Sequence, residues 1–245
     1  MPSLGRFEDA AKTRRDFPMA SGMCWAGAVL CEPLGRVTPH VFYVDQDPFS
    51  VAARHYHDAC QFQVIVRGDG ELGGHRLSPL SVHYAAFQTV YGPINAGPEG
   101  LGYLTLRIQY GVGINFWPET RERMIKDVKR GQVTVHVPAG LEADVDKVTQ
   151  LIAPDDNGLA AKSLQIAPSG LVPVSPDTNS AGVFCLLGAG EVSLDGQAMA
   201  RLDVAWIGLD ETALLRAGVS GAQVLILQMP IGALQDKAKL AAAPA

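Results

Sequence analysis

The chain has 245 residues, 47% of them hydrophobic and 18% charged, and a net charge of −5. That much apolar material excludes a disordered chain and suffices for one large core or two small ones. The acidic balance, without a long Lys/Arg run, argues against a nucleic-acid partner or an anionic membrane surface, and no apolar stretch approaches the roughly 20 residues that cross a bilayer.

Met1–Phe17 carries Arg6, Glu8, Asp9, Lys12, Arg14 and Arg15 and no apolar run, which does not read as a signal peptide. Phe7–Arg14 reads as a short helix. Cys24, Cys31, Cys60 and Cys185 are scattered, without zinc-knuckle spacing or a dense disulfide framework, so a cytoplasmic, reduced protein is expected. His40 leads into Val41-Phe42-Tyr43, a candidate strand. Phe62–Val66, Val82–Ala85 and Leu101–Ile108 are further short runs rich in β-branched, aromatic and aliphatic residues, bounded by turn formers. Pro118–Arg130 spaces Met124, Ile125 and Val128 for one helix face, and Leu141–Ile152 places apolar residues at helical spacing, so a partly helical linker is expected there. Strands resume at Val183–Leu187, Asp203–Ile207 and Gln223–Met229.

The order of features repeats. Gly68-Asp69-Gly70-Glu71, Leu80–Tyr84, Ala96–Gly100 and Leu101–Arg107 are matched by Gly188-Ala189-Gly190-Glu191, Leu202–Trp206, Ala217–Gly221 and Ala222–Gln228. The offset stays between 120 and 122 residues. A steady offset over several landmarks means duplicated units. Many short strands with Gly-rich turns predict an all-β fold of two barrels or sandwiches.

The sharpest chemical signal is Arg54-His55-Tyr56-His57-Asp58-Ala59-Cys60-Gln61, which runs into a strand ending at Gly68. Alternate side chains of a strand share a face, so His55, His57 and Gln61 project together and Cys60 projects away from them. Two imidazoles so placed can reach one divalent metal, and Gln61 can add an oxygen. Gln63 has the same parity and is a candidate pocket residue. His83 lies in a strand whose repeat equivalent is Ala205, so the fold itself does not require a histidine there. Arg107 shares a face with Tyr103 and Thr105. Facing inward it can hold a substrate carboxylate, and facing outward it is a solvated charge.

His55-x-His57-x₃-Gln61-x₆-Gly68 resembles the first motif of the cupin superfamily, with Gln61 where that family usually has Glu. The second motif survives in outline: Tyr91 stands where the third histidine is usual, and Asn95 is retained. The second unit is also similar to a cupin, but Ser175, Asp177 and Ala181 occupy its ligand positions. The resemblance implies a bicupin of two jelly-roll barrels: residues 37–112 with the site, a partly helical linker over 113–160, and residues 161–232 as a degenerate barrel. That barrel is expected to have an apolar interior drawn from Val183–Leu187, Val204–Ile207 and Val224–Leu227. The resemblance further implies a divalent transition metal (Fe, Zn, Ni, Mn or Cu) on His55, His57 and Gln61. Tyr91 then ligates the metal, transfers a proton or merely packs. His83 is a further catalytic candidate, and Arg107 and Gln63 are substrate-binding candidates. A homodimer is expected by the same analogy.

Two functions follow. One is a metal-dependent dioxygenase, isomerase or lyase acting on a small oxygenated or carboxylate-bearing molecule. The alternative is a non-catalytic small-molecule-binding or sensor bicupin that has lost the catalytic metal.

Overall fold

The structure is a computed structural model and describes residues 1–33, 35, 37–109, 113–141 and 146–233. Among these, two antiparallel sheets hold most of the strands. The first runs Gln132–Val135, Val82–Ala85, Gln61–Leu72, Ile94–Arg107, His40–Gln46, Met23–Cys31, Arg15–Pro18. The second runs Ser3–Gly5, Val204–Ile207, Ser180–Leu194, Ala213–Pro230, Ala160–Ile166, Lys147–Ile152.

Strand alternation feeds two kinds of core. In the first unit Phe62 and Val64 join a shared cluster between the units, while Ile65 joins the first unit's interior beside Tyr91 and Tyr103. In the second unit Phe184 and Leu186 face the shared cluster, and Val183, Cys185 and Leu187 fill that unit's own interior. Val204, Trp206, Leu225 and Leu227 also go to the shared cluster, so only alternate residues of the expected runs line the second barrel. Each fully buried aliphatic or aromatic side chain contributes about 1.5–3 kcal/mol.

The duplication is visible in the backbone. Gly68 (φ +67°) and Gly190 (φ +78°) are repeat mates in the left-handed region. A Cβ on Gly68 would lie 2.1 Å from the Gly100 carbonyl oxygen, and one on Gly190 would lie 2.2 Å from that of Gly221. Leu80 (φ 67°) and Leu202 (φ 72°) repeat a second turn, each donating its N–H over 2.8 Å to Ile65 and Leu187 respectively. Gly190→Ala is therefore expected to cost more than about 2 kcal/mol, from left-handed strain plus a backbone clash. Gly74 also has positive φ but nothing within 4 Å of an added Cβ, so Gly74→Ala should cost less. Equal urea midpoints for the two variants would show that the crossing is not tight.

The N-terminal arm stitches the units together. Ser3–Gly5 pairs with Val204–Ile207 of the second unit, and Asp203 accepts from Arg6 (2.8 Å) and from the Phe7 amide (2.9 Å). The expected helix at Phe7–Arg14 is a 3₁₀ helix over Phe7–Thr13. Arg15–Pro18 then joins the edge of the first sheet.

The helical linker is not found among the described residues. Pro118–Arg130 contains only the 3₁₀ turn Arg121–Arg123, and Lys147–Ile152 is a strand; residues 142–145 of the expected second helix lie outside the described residues. Gln132–Val135 pairs with Val82–Ala85, and Lys147–Ile152 pairs with Ala160–Ile166. Both sheets offer open edges there, and cross-strand hydrogen bonding outweighs a weak helical periodicity confined to two short segments separated by Gly131, Pro138 and Gly140.

Candidate functional site

His55–Tyr56 forms a short strand, the chain bends at residues 57–60, and Gln61–Leu72 begins. The expected unbroken strand is thus interrupted, yet its polar residues still meet. His55 is bridged to Tyr91 by mutual backbone bonds of 3.0 and 3.1 Å, which places their side chains together. Gln63 pairs across strands with His83 on one side and Thr105 on the other, and Arg107 pairs with His40.

Donor chemistry fixes a directed chain. Arg107 is donor-only, and its Nε–H reaches Gln61 Oε1 at 2.7 Å. The Gln61 amide nitrogen therefore faces Tyr91 and donates to its hydroxyl at 2.6 Å. The Tyr91 O–H is left to donate to His55 Nε2 at 3.0 Å, and His55 Nδ1–H donates to the Ala53 carbonyl at 2.6 Å. His57 Nδ1–H donates to the Gly113 carbonyl at 2.6 Å.

Burial sets the protonation states. It lowers His55 to about 4 against a raising contribution from the Ala53 carbonyl, with the Arg107 charge lowering it further. Burial, Arg107 and His55 hold His57 well below its usual value. Burial lowers His83 to about 4 and Arg107 to about 10, so at neutral pH the histidines are uncharged and Arg107 is a cation. Burial raises the Tyr91 hydroxyl well above its usual value, against the opposing pull of Arg107 and the two glutamine amides.

A cavity of about 480 Å³ opens beside this chain. His55, His57, Gln63, Thr105 and Arg107 line its polar end, while Gln61 and Tyr91 are buried without lining it. Arg107 faces inward, 4% exposed, with its guanidinium carbon 5.2 Å from the Phe42 ring centroid. His83 is buried 5.2 Å from the Tyr91 ring, takes a 2.9 Å bond with Thr134 Oγ1, and leaves its Nε2 without a partner, as Gln63 does its Oε1. His136, which has no partner visible in sequence, bonds Ser81 at 2.8 Å.

Sequence reasoning missed the apolar half of the cavity. Phe17, Pro18 and Met19 arrive on the N-terminal arm, and Ile114 and Phe116 on the segment after Gly113. That segment is held down by Asn115 on Asp58 (3.2 Å), by Trp117 N–H on the Arg54 carbonyl (3.0 Å) and by the Phe116–His55 strand pairing. Nothing local in these residues marks them, because they reach the site only through sheet pairing.

The donor set fits a divalent metal poorly. Both imidazoles anchor Nδ1 on a backbone carbonyl, as a metal-ligating histidine does, but the lone pair of His55 Nε2 is already taken by the Tyr91 hydroxyl. The other groups are unsuitable: the Gln61 oxygen is taken by Arg107, Tyr91 is a protonated phenol already bonded to His55, and among the described residues no carboxylate lines the cavity. Among the described residues no three His, Cys, Asp or Glu side chains gather as a metal group. In the second barrel the position matching His57 is Asp177, an exposed residue whose carboxylate accepts from Gln228 Nε2 at 2.9 Å and whose backbone N–H donates to Gln228 Oε1 at 3.0 Å.

No family model matches the chain, and no curated protein does. Solved structures do. An 11S globulin from Wrightia tinctoria with an auxin binding site is 12% identical, with a TM-score of 0.61 over 94% of this chain and 83% of that one. The oxalate decarboxylase of Lactobacillus farciminis, in a formate complex, is 12% identical, with a TM-score of 0.62 over 93% and 86%. A pirin from Escherichia coli in complex with nickel(II) is 10% identical, with a TM-score of 0.58 over 94% and 99%. Proteins of this shape thus include metal binders and a globulin, and likeness at such low identity speaks for the fold alone. With two sheets related by an internal repeat and this match over nearly its whole length, the chain has a bicupin fold.

Proposed function

We propose that the first barrel binds a small carboxylate-bearing organic molecule on Arg107, without a divalent metal. The observation that carries this reading is the cavity's electrostatics: Arg107 is the one charged side chain lining it among the described residues. A guanidinium in a largely apolar pocket suits a carboxylate, and Thr105 and Gln63 add polar side chains to the same lining. The globulin's auxin site and the decarboxylase's formate complex are consistent with small ligands in this fold.

A metal-dependent enzyme of the oxygenase, isomerase or lyase type is the second reading, favoured by the two anchored imidazoles. Elemental analysis separates the two. After incubation with Mn(II), Ni(II) or Fe(II) and dialysis, the protein is expected to retain far less than one equivalent, and a His55→Ala/His57→Ala double variant the same. Stoichiometric metal that the double variant loses would overturn the proposal in favour of the enzyme. Calorimetric titration with phenylacetate should show binding that Arg107→Gln weakens by about 10- to 100-fold, the worth of a charged hydrogen bond.

A further inference from the structure

The polar end of the cavity accounts for five of its lining side chains, and the rest of the wall has a different character. Phe42, Val44 and Ala26 come from the sheet, and Met19 from the N-terminal arm. Tyr103 adds its ring, because its hydroxyl already accepts from Gln46 Nε2 at 3.2 Å. At the rim stand Phe17, Ile114 and Phe116, which are 44%, 48% and 45% exposed. Large apolar side chains half open to water at a cavity mouth are costly to leave wet and are covered when an apolar molecule enters.

We infer that the ligand of this cavity is an apolar monocarboxylate: a single carboxylate on Arg107, carried by a hydrocarbon body that runs along the Phe42, Val44 and Tyr103 wall towards Phe17 and Phe116. The inference rests on the carboxylate-binding reading above and narrows it. A second carboxylate on the ligand would be desolvated against this wall, where the described lining residues supply no second cation. A short polar acid such as oxalate would leave most of the roughly 480 Å³ unused and the aromatic rim uncovered. The arm residues give selection by length a physical origin. Arg15–Pro18 is an edge strand whose side chains otherwise face water, so Phe17 and Met19 complete a wall that the barrel strands alone leave open.

The test is a calorimetric series of acetate, butanoate, hexanoate and octanoate against the full-length protein, with succinate and hexanamide as controls. Affinity should climb with chain length, by up to about fourfold per methylene at full burial. Succinate should bind more weakly than butanoate, and hexanamide more weakly than hexanoate. Because Phe17 and Phe116 are half exposed, a Phe17→Ser/Phe116→Ser variant should fold normally and flatten the rise between hexanoate and octanoate. Carboxylates that bind through Arg107 with a flat length series, or with succinate tightest, would overturn this inference while leaving the reading it rests on. No binding by any member of the series, with wild-type protein shown to be folded, would overturn both.

Discussion

Tyr91→Phe is expected to destabilise the protein by about 2–4 kcal/mol, because it strips partners from two groups inside the barrel. The Tyr91 hydroxyl accepts from Gln61 Nε2 and donates to His55 Nε2. Gln61 is fully buried and His55 is 3% exposed, so neither regains a water partner at no cost. An unsatisfied buried donor or acceptor costs about 1–3 kcal/mol, and the ring itself is retained, so the loss is that of the hydrogen bonds rather than of packing. For a chain of this size the melting temperature should fall by roughly 5–15 °C. Since Tyr91 does not line the cavity, carboxylate affinity should change much less than in Arg107→Gln. Urea unfolding of the variant gives the answer directly, and a midpoint equal to that of wild type would mean that the directed chain from Arg107 to Ala53 does not exist.

The second large effect is acid instability. His55 and His83 are held to about 4 in the folded protein, chiefly by burial, against about 6.5 in the unfolded chain. Between these values the unfolded chain binds protons that the folded protein refuses, so the contribution of these two residues falls as the pH is lowered from 6.5 towards 4 and is fully present above that window. Each pKa unit is worth about 1.4 kcal/mol, so the two residues together withdraw on the order of 6 kcal/mol at the acid end. That is comparable to the whole stability of an ordinary domain. Measurements between pH 7 and 5 are the most telling, because carboxylates titrate mainly below that range. His83→Gln should reduce the slope there by about one proton. A stability that stays level from pH 7 to pH 5 would contradict burial of neutral imidazoles.

Much of the architecture was written in periodicity. The repeat of glycines and strands announced two similar units, and its physical basis is the close crossing at Gly68–Gly100 and Gly190–Gly221, where a Cβ would meet a carbonyl oxygen. Such crossings leave a mark in sequence because one residue type alone meets the local requirement. The polar group was legible for a related reason. His55, His57, Gln61, Gln63 and Arg107 stand out as costly residues in apolar strands, and the structure gathers them at one end of a barrel with Tyr91 and His83.

What each of them does was not legible. Spacing like that of a metal motif made Gln61 an oxygen donor, but the inward turn of Arg107 claims that oxygen and points the amide at Tyr91. The linker shows the same limit: Lys147–Ile152 has no strand pattern of its own and becomes one because Ala160–Ile166 offers it an open edge. The sequence by itself determined the all-β duplication, the apolar second interior and the residues of the polar group. Tertiary structure alone decided which face of the Arg107 strand turns inward, which donor meets which acceptor, and that the N-terminal arm completes the cavity. A period of two separates the faces of a strand without saying which is inside, and only closure of the sheet by distant strands makes that choice.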